Sequence, residues 1–270
     1  MNKIEFLKNK ARWIRLQVLE SINRAGKGHI GGTFSCVDIL TALYYGKFIS
    51  NAKSLKQNRD KLILSKGHSC LALYAILWDL GVISKNKYLS YGKDGGLGGQ
   101  LDVNTAGVDF NTGSLGHAIG VGCGMALALK KTKKKNFAYV LLGDAELFEG
   151  SIWEAIIFAS EMKVNNLICI IDRNRFMVTD SIEDGSIYKD LKIKITKFGW
   201  DFFEIDGHNI GEIINTLKIV RNSEKPVMIL ANTIKGKGVS FMEGSVGWYT
   251  QTPSAEEFLR AKRELTRGIL

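Results

Sequence analysis

Two apolar runs of the sequence each end in side chains that can supply oxygen ligands. The run AYVLLG is followed by Asp144, and the run NLICIID is followed by Arg173 and Asn174. If both runs are parallel strands, their carboxyl ends meet at one edge of a sheet, which is where ligands bind in such folds. A carboxylate and an amide oxygen suit Mg²⁺ better than Zn²⁺, and a strand-end carbonyl could supply a third ligand.

The same motif predicts a phosphate beside the metal. Mg²⁺ seldom sits in an all-protein cage and commonly bridges substrate phosphates, so the pattern indicates a magnesium diphosphate. The small turn Gly143–Ala145 could bring backbone N–H groups to that anion. Taken alone, the motif leaves an alternative open, because an Asp at a strand end is commonly a turn or N-cap residue.

Two histidines in glycine-flanked turns favour the phosphate hypothesis. His68 follows an apolar run in SKGH and could hydrogen-bond a phosphate, and His29 lies among the glycines of AGKGHIGG. In NTGSLGHAIG, the glycines would let a ligand approach the backbone of Gly113 and Leu115 closely. The alternative for each histidine alone is an ordinary structural side chain.

The elements that must position these residues alternate between strand and helix. After the glycine-rich loop Gly92–Gly113, the apolar runs AYVLLG, NLICIID, WDFFEID and PVMILAN alternate with helical patterns. KLIL predicts a further short, buried strand. This alternation is typical of the α/β class, with a parallel sheet and helices on both faces.

Helix boundaries are predicted from periodicity and capping residues. Helical spacing covers Ile4 to Arg24, and a second helix is expected from Asp38 as its N-cap residue. A small-residue helix is expected from Ser114. Others are predicted at Ser151–Met162, near Ile187–Phe198, and at Ile210–Arg221 and Ser254–Thr266.

Composition excludes several classes of protein. The chain has 270 residues, which can bury a sizeable core, and a net charge of +10. Its four cysteines are far apart without C-x-x-C spacing, which predicts buried, reduced thiols. The N-terminus lacks the apolar segment of a secretory signal, and no apolar run reaches the roughly 18 residues of a membrane span. We therefore expect a cytoplasmic protein with neither a membrane nor a nucleic acid as partner.

Seven segments that together cover nearly the whole chain can be read in order: GKGHIGG, DKLILSKGHSCLALYAIL, TGSLGHAIGVGCGMALALK, LLGDAELFEGSIWEA, LICIIDRN, GWDFFEIDGHN and IKGKGVSFMEG. In this order they resemble the N-terminal, diphosphate-binding half of transketolase, in the form encoded as a separate subunit. The resemblance implies a thiamine diphosphate-binding fold, transfer of a two-carbon unit from a ketose or 2-oxo acid to a sugar acceptor, and thiamine diphosphate with Mg²⁺ as cofactors.

The resemblance also assigns roles to residues. It implies that Asp144, Asn174 and the carbonyl of Phe176 bind Mg²⁺. The implied cofactor-binding set has a diphosphate side, with the Ala145 backbone and the His68 side chain, and an aminopyrimidine side, with Gly113 and Leu115. In full, this set is His68, Gly113, Leu115, Gly143, Asp144, Ala145, Glu146 and Asn174.

A second implied set is catalytic. It comprises His29, which matches a substrate-contacting histidine, and six further residues: His68, Gln100, His117, Glu149, Glu154 and Tyr249. Glu149 and Glu154 match acidic positions near the subunit interface that couple the two halves of the enzyme. For these two, the alternative is a helix N-terminus, which also favours carboxylates.

The resemblance implies one thiamine diphosphate-binding domain over residues 1–270 and an obligate partner. In the family, a glutamate on a separate pyrimidine-binding domain activates the cofactor, and the sequence ends at Leu270 without room for that domain. We therefore expect a separate C-terminal transketolase-like subunit to supply this glutamate, in an α₂β₂ arrangement. The chain alone should be inactive.

Four positions depart from the family pattern. Gln100 replaces a histidine that contacts the donor's C1 hydroxyl, and Tyr249 replaces a histidine that lies close to the diphosphate and the sugar. Ala145 replaces a glycine, and His117 replaces a residue that is usually glutamine. Ala145 keeps the N–H group but has less backbone freedom. One interpretation is drift in a redundant copy. The other is a changed donor, a 2-oxo acid such as pyruvate. Such a donor has no C1 hydroxyl, so a histidine at position 100 would have nothing to bind. The acceptor would then be an activated sugar.

Three other functions remain open from the sequence. A 2-oxo acid dehydrogenase α subunit would share the magnesium motif but lack the SKGH turn and the KGKGVSFME segment. A regulatory or scaffold subunit would not need the Asp144–Asn174 pair or the two histidines. A nucleic-acid-binding module would need aromatic residues among the lysines of Lys130–Asn136, and that run has none.

Overall fold

Five parallel strands form the centre of the fold. The computed structural model describes residues 2–49, 59–177, 180–182 and 187–267. Within these ranges the sheet has the order β1-β2-β3-β5-β4, and every neighbouring pair is parallel. The strands are β1 (Lys61–Leu64), β2 (Ala138–Gly143), β3 (Leu167–Arg173), β4 (Asp201–Asp206) and β5 (Val227–Asn232). The predicted parallel sheet is confirmed.

Helices cover both faces of this sheet, as the alternation of patterns predicts. Short 3₁₀ turns follow β1 at Gly67–Ser69 and β2 at Asp144–Phe148. The α-helices are α1 (Lys3–Ala25), α2 (Ile30–Ser35), α3 (Val37–Tyr45), α4 (Cys70–Asp79), α5 (Lys85–Leu89), α6 (Ala118–Lys131), α7 (Gly150–Glu161), α8 (Leu191–Lys197), α9 (Ile210–Val220) and α10 (Ala255–Thr266).

Apart from polar residues at their carboxyl ends, the central strands are apolar because each contributes to two hydrophobic cores. In β2, Tyr139 and Leu141 lie in the core formed with α1, α3 and α4, whereas Val140 and Leu142 lie in the core formed with α6 and α7. All four side chains are fully buried. Alternate residues of a strand point to opposite faces, so a strand covered on both sides has no polar face.

The predicted N-cap role of Asp38 is wrong. The helix α3 begins at Val37 after Cys36, and the sequence prediction missed the preceding short helix α2, all of whose residues are buried. Asp38 lies in the first turn of α3, and its carboxylate pairs with Arg15 of α1 instead of capping the backbone. The Asp38 side chain is therefore used in an ion pair with a distant helix, whereas local capping rules assign it to the backbone of its own helix.

The helix predicted from Ser114 begins later, at Ala118. Gly113 and Gly116 have φ angles of +133° and +83°, which a right-handed helix does not allow. Likewise, α8 begins at Leu191 rather than near Ile187, after Asp190 at φ +57°. The residues just before α6 therefore form an irregular loop, and their backbone N–H groups are not used in helical hydrogen bonds.

Two compositional predictions can be compared with the structure. All four cysteines are free and buried, as predicted. Within the described ranges, every helix is too short or too polar to cross a membrane.

A buried ion pair connects the N-terminal helices to the ends of the strands. Arg15 donates to both carboxylate oxygens of Asp38, at 3.2 and 2.6 Å, and also to the carbonyl of Phe34. His208, which follows β4, accepts from the Ile234 N–H through Nε2, so its Nδ1 carries the proton and donates to Asp38 at 2.8 Å. Burial raises the pKa of Asp38, but Arg15 and His208 outweigh it and lower the pKa to about 2.

We expect Arg15→Met to lower the free energy of unfolding by about 3–5 kcal/mol, because it leaves the buried Asp38 carboxylate without its cation. The control Lys262→Met breaks an exposed pair with Glu20 and should cost less than about 1 kcal/mol. Urea unfolding followed by circular dichroism measures both values. Equal effects of the two substitutions would show that the buried pair contributes no more than a surface pair.

Candidate functional site

A crevice opens at the carboxyl edge of the sheet, between the segments that follow β1, β2, β3 and β5. Gly32, Lys66, Met177 and Lys235 form part of its lining. The crevice also brings together nine of the residues predicted from the sequence: His68, Leu115, Gly143, Asp144, Ala145, Glu146, Asn174, Phe176 and Tyr249.

Asp144 is a buried carboxylate with little compensation from the protein. It is only 1% exposed, and its two oxygens accept from the N–H groups of Ala145 at 2.9 Å and Arg175 at 2.6 Å. Burial and the nearby Asp172 raise its pKa to about 7, although the two N–H groups and Lys66 act in the opposite direction. A buried carboxylate with a raised pKa is a position where a bound cation would be strongly stabilised.

Asn174 lies beside Asp144 because β2 and β3 are parallel and in register. Gly143 is paired with Asp172, so the residues that follow both strands emerge at the same edge. Asn174 is buried, and its side-chain oxygen accepts from the Phe176 N–H at 3.2 Å. Between them, Arg175 has a φ of +72°, which turns the chain back along the rim of the crevice.

Asp172, the other acidic residue at this edge, is neutralised within the protein. It forms an ion pair with Lys66, and both side chains are fully buried. Ser35, at 2.6 Å, and Thr233 also donate to its carboxylate. The sequence analysis did not predict this network, although the lysine in SKGH is a signal that could have suggested it.

Lys235 is a second buried lysine that the sequence analysis missed. It is 2% exposed and has no carboxylate within ion-pair distance among the described residues. Its Nζ lies 3.4 Å from the Val246 carbonyl oxygen and above the rings of Phe176 and Tyr249, at 5.4 and 5.5 Å. Burial and Lys66 lower its pKa. A buried ammonium without a counter-ion favours an anionic ligand.

Two histidines and Tyr249 form a ring cluster at one side of the crevice. The centroid of the His29 ring lies 5.2 Å from that of His68 and 4.9 Å from that of Tyr249. Burial lowers the pKa of both histidines, and Lys66 lowers that of His68 further. Both imidazoles are therefore neutral at pH 7, and each can donate one hydrogen bond and accept another.

Gln100 lies between the turn that carries His68 and the loop that carries Gly113. A Cβ atom at Gly67 would lie 2.6 Å from Gln100 Oε1, and one at Gly113 would lie 3.0 Å from it. These glycines let the amide approach both backbone segments. Gln100 is thus close to the crevice, as predicted, although its side chain is exposed.

Six of the predicted residues are not part of the crevice lining: His29, Gln100 and Gly113 lie at its side, and three others lie farther out. His117 precedes α6 and stacks on Phe110, with a centroid distance of 5.8 Å. His117 and Glu154 line a neighbouring groove between α6 and α7. Glu149 precedes α7 and packs so closely under Gly116 that a Cβ there would lie 2.5 Å from the Glu149 Cβ. These residues face the exterior beside the crevice.

A family model described as "Transketolase, thiamine diphosphate binding domain" matches residues 7–266. The chain belongs to the transketolase family. It is 38% identical, over 99% of this chain and 96% of the relative, to an apulose-4-phosphate transketolase subunit of Phocaeicola vulgatus. It is 37% identical, over 97% and 96%, to the 6-deoxy-6-sulfo-D-fructose transketolase subunit SqwG of Clostridium sp. strain MSTE9.

Longer transketolases share the same domain. The chain is 32% identical to human transketolase over 92% of its own length, but it covers only 40% of that protein. The crystal structure of Campylobacter jejuni transketolase superimposes with a TM-score of 0.89 at 27% identity, covering 98% of this chain and 43% of that one. These relatives confirm the predicted resemblance and fold, and they support transketolase over the 2-oxo acid dehydrogenase alternative.

The crevice of this transketolase domain fits a cation bound to an anion. Asp144 is a buried carboxylate whose pKa is raised, and Lys235 is a buried ammonium that lacks a carboxylate partner in the described part of the chain. In that part, no three His, Cys, Asp or Glu side chains cluster as a metal site. The predicted metal set does not need such a cluster, because it combines one carboxylate with an amide and a carbonyl.

We expect Lys235→Met to weaken thiamine diphosphate binding by about ten- to a hundredfold, because a hydrogen bond to a charged group contributes about 1.5–3 kcal/mol. The control is Lys237→Met, because the Lys237 ammonium is only partly buried and lies 3.3 Å from the Glu243 carboxylate. Calorimetric titration of each variant with thiamine diphosphate and MgCl₂ measures the difference. Unchanged affinity in Lys235→Met would mean that the ammonium does not contact the diphosphate.

Proposed function

We propose that this chain is the cofactor-binding subunit of a thiamine diphosphate- and Mg²⁺-dependent transketolase that transfers a two-carbon unit to a sugar acceptor. The observation that carries the proposal is the presence, in one crevice, of a buried carboxylate with a raised pKa at Asp144 and a buried ammonium at Lys235 that has no carboxylate partner among the described residues. The family match and the two related subunits support the same reaction.

The proposed cofactor site uses the strand ends. Asp144, Asn174 and the Phe176 carbonyl hold Mg²⁺, while the Ala145 N–H and His68 contact the diphosphate. The Ala145 N–H donates to the Asp144 carboxylate in this structure, and it would be the backbone donor available to a bound diphosphate. On the other side, the backbone of Gly113 and Leu115 faces the aminopyrimidine. When bound, thiamine diphosphate supplies the nucleophilic centre for cleaving a carbon–carbon bond beside a carbonyl.

The chain's own side chains bind and orient the donor. His29 and His68 are neutral, so each can hydrogen-bond a hydroxyl or accept a proton from it. Tyr249 packs edge-on against His29 and closes one side of the cluster. Gln100 adds an amide that can donate and accept.

A ketose is the donor that these groups favour. Gln100 lies against Gly67 and Gly113, so its amide can hydrogen-bond a donor hydroxyl in place of the histidine usual in the family. Both subunit relatives are named for ketoses. The second candidate is a 2-oxo acid such as pyruvate, and the replacement of two imidazoles by Gln100 and Tyr249 is the observation that favours it.

The proposed partner is a separate subunit that carries the pyrimidine-binding domain and its glutamate, in an α₂β₂ assembly. Glu154, Ile157, Phe158 and Glu161 lie three and four residues apart on one exposed face of α7. Ile157 and Phe158 are each 46% exposed. Adjacent exposed apolar side chains beside a functional crevice are typical of a protein interface. The cytoplasmic location stays a prediction.

We expect the chain alone to show no transfer and the reconstituted pair to transfer glycolaldehyde units from a ketose phosphate. The partner can be sought first in the neighbouring gene. Coupled assays with xylulose 5-phosphate and with pyruvate separate the two donors: turnover of pyruvate alone would establish the 2-oxo acid. If the pair binds neither thiamine diphosphate nor Mg²⁺ in calorimetry, the scaffold alternative is correct.

We expect Phe158→Glu to weaken association with the partner subunit by at least tenfold, because it places a charge in an apolar contact. The matched control is Ile219→Glu on α9, where the wild-type side chain is 60% exposed. Analytical ultracentrifugation of the mixed subunits measures both. Identical association of the two variants and the wild type would exclude this face of α7.

A further inference from the structure

Glu146 is a buried carboxylate that binds three separate segments of the chain. It lies in the 3₁₀ turn after β2 and is 1% exposed. One oxygen accepts from the Gly143 N–H at 2.9 Å. The other accepts from the Gly116 N–H at 2.9 Å and from the Ser65 hydroxyl.

Each of the three donors belongs to a segment with a different part in the proposed site. Ser65 directly follows β1 and precedes the turn that carries His68. Gly116 belongs to the loop that carries Gly113 and Leu115, which faces the aminopyrimidine in the proposed site. Gly143 directly precedes Asp144, the proposed metal ligand. Glu146 is therefore the one side chain we find, in the described ranges, that bonds to all three segments.

The geometry around Gly116 shows how tightly its loop is held. Its N–H is bound by Glu146, its carbonyl oxygen accepts from Ser151 at 2.9 Å, and Glu149 packs against its Cα. The three residues that contact Gly116 here, Glu146, Glu149 and Ser151, thus all come from the segment that begins with Asp144. A shift of the metal turn would be passed directly to the loop.

We propose that Glu146 is a positioning residue that holds the diphosphate end and the aminopyrimidine end of the crevice at a fixed separation. This inference rests on the proposed function, and it deepens it by assigning Glu146 a role that acts through Ser65, Gly116 and Gly143. All three partners are N–H or O–H donors, so only a group with acceptors on both oxygens satisfies them. A glutamine places an NH₂ donor against at least one of them.

Hydrogen exchange of the full chain tests the role without any cofactor. In Glu146→Gln we expect amide exchange to become at least tenfold faster in residues 113–117 and 140–145, and to stay unchanged in α9 and α10. Ser65→Ala should affect only the segment around residues 62–69. The control Glu264→Gln removes a carboxylate that accepts from the N–H and hydroxyl of Ser240, far along the chain, and should leave all three segments unchanged.

Ligand affinity provides the second readout. Glu146→Gln should weaken thiamine diphosphate binding more than it weakens binding of inorganic pyrophosphate with Mg²⁺, because only the former spans both ends of the crevice. Unchanged exchange at residues 113–117, or equally faster exchange throughout the chain, overturns the role, as does an equal loss of both affinities. If the wild type, with its partner, binds no thiamine diphosphate, the proposed function fails, while the exchange result still decides whether Glu146 holds the segments.

Discussion

Three carboxylates are buried at the ends of β2 and β3, and the way each is compensated determines what the site can bind. Asp172 has Lys66, Ser35 and Thr233. Glu146 has three backbone or hydroxyl donors. Among the described residues, Asp144 has two N–H donors, and its pKa is raised to about 7. Burial also raises the pKa of Glu146, but Glu146 and Asp172 each accept from three donors, so a bound cation would find the fewest competing donors at Asp144.

The same imbalance exists among the cations. Lys66 forms an ion pair with Asp172. Lys235 is also buried but has no carboxylate partner in the ranges that the structure describes. A cation bound at Asp144 and an anion bound at Lys235 would therefore compensate both buried charges. The proposed metal–diphosphate pair would compensate both, whereas either component alone would leave one buried charge uncompensated.

The arrangement of segments also explains why the crevice sits beside an exposed face. The turn after β2 leads directly into α7, so Asp144, Glu146 and the exposed Ile157 and Phe158 belong to one continuous segment. A partner that covers α7 would approach the loop at Leu115 from the outside. The subunit relatives and the longer transketolases share this domain, whether it is encoded alone or as part of a larger chain.

The sequence alone determined the α/β class, the strands and part of the crevice lining, because the apolar runs that end near Asp144 and Asn174 indicate both the direction of the strands and the sheet edge at which they end. The sequence-based predictions for Asp38 and for the start of α6 were wrong. Local capping and helix patterns do not show that Asp38 pairs with Arg15 or that Gly116 adopts a positive φ. Only the tertiary structure decided which charges are paired. Lys66 and Lys235 look alike in the sequence, and their difference depends on whether a distant strand places a carboxylate beside them.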